Sequence, residues 1–121
     1  MRALEFVGSA REDLRAFPQE ARIGFGYALY LAQQGEVHPR ARPLRGFSGA
    51  GVQEIAEDVA GDTYRVVDTV RLRTAVYVLH AFQKKSKRGR ATPRADIELI
   101  HRRLVRAQRL DAARSAPEHE G

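Results

Sequence analysis

The sequence contains no cysteine, which excludes disulfides and thiolate metal sites together. It has no apolar run near the ~20 residues that a membrane-spanning helix requires. Met1 leads directly into Arg2 and Glu5 instead of into the apolar core of a signal peptide. A soluble, cytoplasmic protein is the expectation. Also missing are an HExxH pair, paired aspartates and a Gly-rich phosphate loop; Gly46, Gly49 and Gly51 read as turn residues rather than as a nucleotide cradle. His38, His101 and His119 fall on a loop, a basic helix and the tail, with no spacing that suggests metal ligation. Neither a metal nor a cofactor is expected, and no internal repeat is visible.

What is present fits one domain. The 121 residues leave no room for a second core, and a chain of this length buries roughly 65% of its unfolded surface, so its stability margin is thin. Apolar residues make up 43%, enough for a globular core. The domain is expected over 1–110, with the polar stretch 111–121 as a flexible, frayed tail. Lys and Arg number 21 against 15 Asp and Glu, a net charge of +6. The excess is clustered: Arg40, Arg42 and Arg45 form one group, and Lys84, Lys85, Lys87, Arg88 and Arg90 form another. Dense positive charge attracts a phosphate backbone or an acidic protein partner. Neither cluster lies on a helix with a large apolar face, which argues against a membrane surface.

Residues 3–7 read as a short opening strand. Ser9 stands where a helix N-cap would, with Glu12 at the capping-box spacing before Leu14 and Phe17. Pro18 ends that helix or starts the next, which is predicted to run to about Gln34 with Ile23, Tyr27, Tyr30 and Leu31 at helical spacing. Gly35 is a natural stop, and the two helices are expected to form a hairpin. Residues 36–51 read as loop. Three strands are predicted over 52–59, 63–70 and 74–82, the first two joined by a short turn at Ala60-Gly61-Asp62. Short connections imply antiparallel pairing, and Val76-Tyr77-Val78-Leu79, apolar on both faces, belongs at the centre of the sheet. Thr92 and Pro93 are predicted to open a last helix, Thr as N-cap and Pro in the first helical position. Ile97, Ile100 and Leu104 form its apolar stripe, and Arg102, Arg103 and Arg106 face outward. The order βααβββα makes an α+β domain, the helical hairpin and C-terminal helix packed on a small, largely antiparallel sheet. With the helices on one face, the other face is left for function.

Two stretches resemble a known family. One is Leu44-Arg45-Gly46, followed by Val52-Gln53-Glu54-Ile55 and Thr63-Tyr64-Arg65-Val66-Val67. The other, more specific, is Tyr77-Val78-Leu79-His80-Ala81-Phe82-Gln83-Lys84-Lys85-Ser86, continuing to Ala91-Thr92-Pro93 and Arg103-Leu104. In order and spacing, over roughly residues 1–107, they resemble the RelE/HigB toxin superfamily and its phage-derived Gp49-like branch. The resemblance implies a RelE-like fold and a metal-independent endoribonuclease that cuts mRNA, in most relatives in the ribosomal A site during translation. It also implies a cognate antitoxin, usually DNA-binding and often of helix-turn-helix type. By position, Arg65 matches the arginine that contacts the scissile phosphate. Lys85, with Lys84 beside it, falls where relatives carry a basic residue at the end of the central strand. Glu54 matches a position held by a catalytic or contact residue in some relatives and by lysine in others, and Arg45 matches a loop residue expected to touch RNA. Asp68 stands where many relatives have tyrosine, and no tyrosine lies near the C-terminal helix, so the resemblance leaves the general base unassigned.

These residue types suit RNA cleavage, in which the 2′-hydroxyl attacks the adjacent phosphorus. The protein must supply cations for the phosphorane, a proton acceptor for the 2′-oxygen and a donor for the leaving 5′-oxygen. Arg65 offers a planar, permanently charged fork; its structural alternative is a cross-sheet pair with Glu54 or Glu57. Lys84 and Lys85 read either as a solvated strand end or as phosphate ligands whose adjacency depresses each other's proton affinity. Lys87, Arg88 and Arg90 extend that basic run toward RNA. Glu54 is a candidate base or a bridge to Arg65, and Asp68 is a weaker candidate of the same kind. His80, between Leu79 and Ala81, reads as a satisfied core or sheet-face residue before a base. Phe47 and Phe82 read as core before base-stacking rings. A nucleic-acid-binding module without cleavage, such as a phage regulator, shares the same charges, as does a domain whose basic face serves an acidic protein partner.

Overall fold

The computed structural model describes residues 1–84 and 92–115. Along the chain stand β1 (Ala3–Phe6), α1 (Ala10–Arg15), α2 (Gln19–Gln33), β2 (Arg42–Pro43), β3 (Val52–Val59), β4 (Asp62–Thr69), β5 (Ala75–Lys84) and α3 (Arg94–Ser115). They build a five-stranded sheet in the order β1-β5-β4-β3-β2. β1 runs parallel to β5, and the other pairings are antiparallel. The α+β class and the element order are those the sequence predicts. The segment read as loop contributes one addition, the two-residue edge strand β2, where Pro43 is tolerated because an edge strand has one unpaired side. β3 and β4 meet at Ala60-Gly61, both at positive φ (52° and 87°), as a two-residue hairpin turn of matching twist requires.

Helices cover both sheet faces, not one. β5 lies near the middle and is buried from Ala75 to Ala81. On one face, α1 and α2 bury Ala10, Ala21, Phe25 and Leu29 against Ile55, Tyr64, Val66 and Val78. On the other, α3 buries Ile100, Leu104 and Ala107 against Val67, Tyr77 and Leu79, with Phe47 alongside. The face expected from the sequence to be free thus carries α3.

The side of α2 that packs inward also differs from the sequence reading. Its buried residues are Ala21, Phe25, Ala28, Leu29 and Ala32, while Ile23, Tyr27 and Tyr30 are 63%, 57% and 50% exposed. Alanines let the helix axis come close to the sheet. Gly24 comes closer still: a Cβ there would lie 2.6 Å from the Glu57 carboxyl carbon. Close approach, not side-chain size, selected the face.

Three helix ends are corrected as well. Ser9 forms no capping box; its hydroxyl donates to Asp13 Oδ2 (2.7 Å) and accepts from Arg103 Nη2 (3.0 Å). Arg103 therefore faces inward, its Nη1 donating to the Leu79 carbonyl at 2.9 Å, unlike the exposed Arg102 and Arg106. At the start of α3 the Pro93 carbonyl accepts the first helical bond, from Ile97 at 3.0 Å, and the Thr92 hydroxyl turns to the sheet. Of the tail assigned to 111–121, residues 111–115 are helical, because α3 continues to Ser115; the rest lies outside the described residues. Asp111, 6% exposed, accepts from the Arg73 amide (3.0 Å), the Thr74 amide (2.7 Å) and the Thr74 hydroxyl (2.6 Å), which docks this last turn. Among the described residues no helix is long and apolar enough to cross a membrane.

Candidate active site

Strand register sets the site. On the α3 face, cross-strand partners align in rows: Glu54, Val67 and His80, then Ala56, Arg65 and Phe82, then Asp58, Thr63 and Lys84. One irregularity makes this possible. Val67 pairs with His80 while the next residue, Asp68, pairs with Val78, so Leu79 is the extra residue of a bulge. A bulge re-aims the side chains around it. Leu79 packs under α3, and His80 also reaches α3, where strict alternation would send it to the opposite face.

Two polar contacts join these rows to the start of α3. Arg65 Nη1 donates to Glu54 Oε2 at 2.9 Å, and the Thr92 hydroxyl donates to the same oxygen at 3.1 Å. The ion pair is sheltered, its side chains 8% and 15% exposed. His80 Nε2 lies 2.7 Å from Asp96 Oδ1, and its ring stacks on Phe82 with centroids 4.7 Å apart. His80 Nδ1 is buried and meets no hydrogen-bond partner among the described residues.

The candidates named from sequence separate clearly. Arg65 and Glu54 are in direct contact, which is the structural pairing foreseen as the alternative to a free phosphate ligand. Lys84 shares their sheet face but is 9% exposed, so it is not the solvated strand end that the sequence allowed. Arg45 is exposed in the loop after β2, and Arg40 of the same basic group lies 3.7 Å from Glu57. Lys85, Lys87, Arg88 and Arg90 lie outside the described residues. Phe47 is core, stacked on His101 at 4.1 Å.

Asp68 is not part of this site. Directly across from Val78 in register, it belongs to the α2 face and is fully buried. Neither carboxyl oxygen has a partner of hydrogen-bond geometry among the described residues. Burial pushes the carboxyl up to about 7, against smaller downward pulls from the Gln53 side chain and the Arg2 charge. A hollow of about 540 Å³ opens between Phe17 and Pro18 and the ends of β4 and β5 at Tyr64 and Gln83, and contains none of the candidate charged residues.

Thr92 and Asp96 are the site residues that sequence reasoning missed. Both stand at the opening of the last helix, where Thr reads as a cap and Asp as a favourable first-turn charge. Their partners on β3 and β5 are 38 and 16 residues away, and no local pattern announces them.

No curated protein matches this chain significantly. A protein-family profile described as Phage derived protein Gp49-like (DUF891) matches residues 12–105, a span running from α1 into α3 that contains every contact just described. The chain belongs to this Gp49-like phage-derived family, which lies within the RelE/HigB toxin superfamily.

Proposed function

We propose that this protein is the toxin of a toxin–antitoxin pair and acts as a metal-independent endoribonuclease on mRNA, in the ribosome, so inhibiting translation. The observation that carries this reading is the Arg65–Glu54 pair, a guanidinium and a carboxylate 2.9 Å apart on the α3 face of the sheet. It holds a phosphate fork and a proton acceptor in one place. An incoming phosphodiester replaces Glu54 as the ligand of Arg65, which then binds two phosphate oxygens. Glu54, still bonded by Thr92, takes the proton of the 2′-hydroxyl. The 2′-oxygen bonds to phosphorus as the bond to the 5′-oxygen breaks, and Lys84 or Lys85 protonates that leaving oxygen. The products are a 2′,3′-cyclic phosphate and a 5′-hydroxyl. Arg45, Lys87, Arg88 and Arg90 would hold flanking phosphates, and a cognate antitoxin of helix-turn-helix type would silence the protein.

The same pair supports a second reading, binding without cutting: in its resting state Arg65 is 6% exposed and neutralised by a carboxylate. Expression without an antitoxin separates the two. Wild type should arrest growth and generate cut mRNA. Arg65→Lys keeps the charge but loses the fork and should cut about 100-fold more slowly, in line with removal of a transition-state donor. A wild type that leaves growth and mRNA intact ends the enzyme reading. An Arg65→Lys variant as toxic as wild type ends the assignment of Arg65.

A further inference from the structure

The outer face of α2 carries an apolar stripe that is largely exposed among the described residues. Ile23, Tyr27 and Tyr30 stand half or more exposed along it. His38 meets Tyr27 edge-on, with ring centroids 5.9 Å apart, which places Val37, 69% exposed, next to the same stripe. Gly26 lies between them in mid-helix, where glycine weakens a helix by about 1 kcal/mol relative to alanine. Its neighbour Gly24 has a reason inside the molecule, the Glu57 carboxylate. Gly26 has none, since a Cβ there would meet nothing within 4 Å.

We propose that two copies of this chain pair through this face, the α2 helices antiparallel about a two-fold axis between Gly26 and Tyr27. The stripe is built for it. Its exposed members, Gln19, Ile23, Gly26, Tyr27, Tyr30 and Gln34, are spaced symmetrically about that point. Related by the axis, Tyr27 enters the gap left by the partner copy's missing Cβ, Tyr30 meets Ile23, and the amides of Gln19 and Gln34, each both donor and acceptor, meet at the ends. A two-fold interface demands such self-complementarity, and ridges entering grooves set how closely the helices cross. The charged residues exposed on α2, Glu20 and Arg22, flank the stripe on opposite sides. The four apolar side chains expose on the order of 500 Å² per copy, the upper range for a patch on a monomer. Two patches together reach about 1,000 Å², the lower bound for a specific interface before its rim is counted.

The test is the mass of the purified chain by sedimentation equilibrium, from micromolar to near-millimolar concentration. It does not depend on ribonuclease activity, so failure here and failure of the functional reading are distinguishable. Wild type should shift toward twice the single-chain mass as concentration rises. Ile23→Asp places a charge in the stripe and should hold the chain at single mass. Gly26→Leu fills the central gap at a position where an added Cβ meets nothing within 4 Å; it should do the same while raising the melting temperature, which separates lost pairing from lost folding. A wild type that remains single throughout, its α2 face then left for a different protein, overturns the proposal. So does a dimer that both variants leave intact.

Discussion

The two ends of α3 are tied to the sheet by carboxylates, and they are tied differently. At the far end Asp111 is held by two backbone amides and the Thr74 hydroxyl, with Arg114 bonded to Glu5 at 2.7 Å beside it. Backbone donors neither titrate nor swing away. At the near end the contacts among the described residues are between side chains: Arg65 and Thr92 donate to Glu54, and His80 shares a hydrogen bond with Asp96. Side-chain donors can change partner when a ligand arrives. One end is an anchor and the other is a set of exchangeable contacts, and the candidate site lies at the second. Asp68, on the opposite face, shows what both ends avoid: a buried carboxyl whose oxygens meet no partner in good hydrogen-bond geometry among the described residues.

The strongest way to break this comparison is at the near end. Arg65→Ala leaves Glu54 sheltered and without its cation, a loss of about 3 kcal/mol or more. Adding Glu54→Ala should restore much of that stability in urea unfolding while growth arrest stays absent. If the double variant arrests growth, the pair is architecture alone.

Asp68 gives the next largest effect, and the sign follows from its burial. Its carboxyl is protonated up to about 7 in the folded chain against 3.8 unfolded. The folded state therefore binds the extra proton between those values, so this group's contribution to stability is full below 3.8 and is lost as pH rises to about 7. Asp68→Asn should flatten that slope and, above pH 7, stabilise the chain by roughly 4 kcal/mol at most. A variant whose stability tracks wild type across this range would mean that Asp68 is ionised and paired.

Asp111→Ala should cost about 2–3 kcal/mol by stranding the Arg73 and Thr74 amides, with activity per folded molecule unchanged. Here the pH sign reverses. Burial works to raise the Asp111 carboxyl, but the Thr74 and Arg73 hydrogen bonds, helped by Arg2, outweigh it and hold it below the usual range. Its stabilisation is present at neutral pH and is lost as acid protonates it. Loss of activity without loss of stability would contradict the division between the ends. Thr92→Val is the smallest change, about 1 kcal/mol or less. It should alter cleavage more than unfolding, because it releases Glu54 and little else.

Much of this was legible in the sequence, for identifiable reasons. The strands announce themselves by β-branched and aromatic residues, and the Ala60-Gly61 turn by the glycine that positive φ favours. Arg65, Glu54 and their pairing were readable because they lie on adjacent strands joined by a two-residue turn, which fixes their register. The buried side of α2 was not readable, since Ile23, Tyr27 and Tyr30 are more hydrophobic than the alanines that pack. Nor was the orientation of His80, which depends on one extra residue at Leu79 that no residue type marks.

By itself the sequence determined the order of the main elements, the interior place of β5 and the types of group available for chemistry, because these depend on local propensity, alternation and short-range spacing. The tertiary structure alone decided that α3 covers the second sheet face, which of Glu54 and Glu57 Arg65 rests against, and that Thr92 and Asp96 join them. Those outcomes depend on how closely α2 and α3 approach the sheet and on a shift in strand register, and such quantities are set only when distant segments meet.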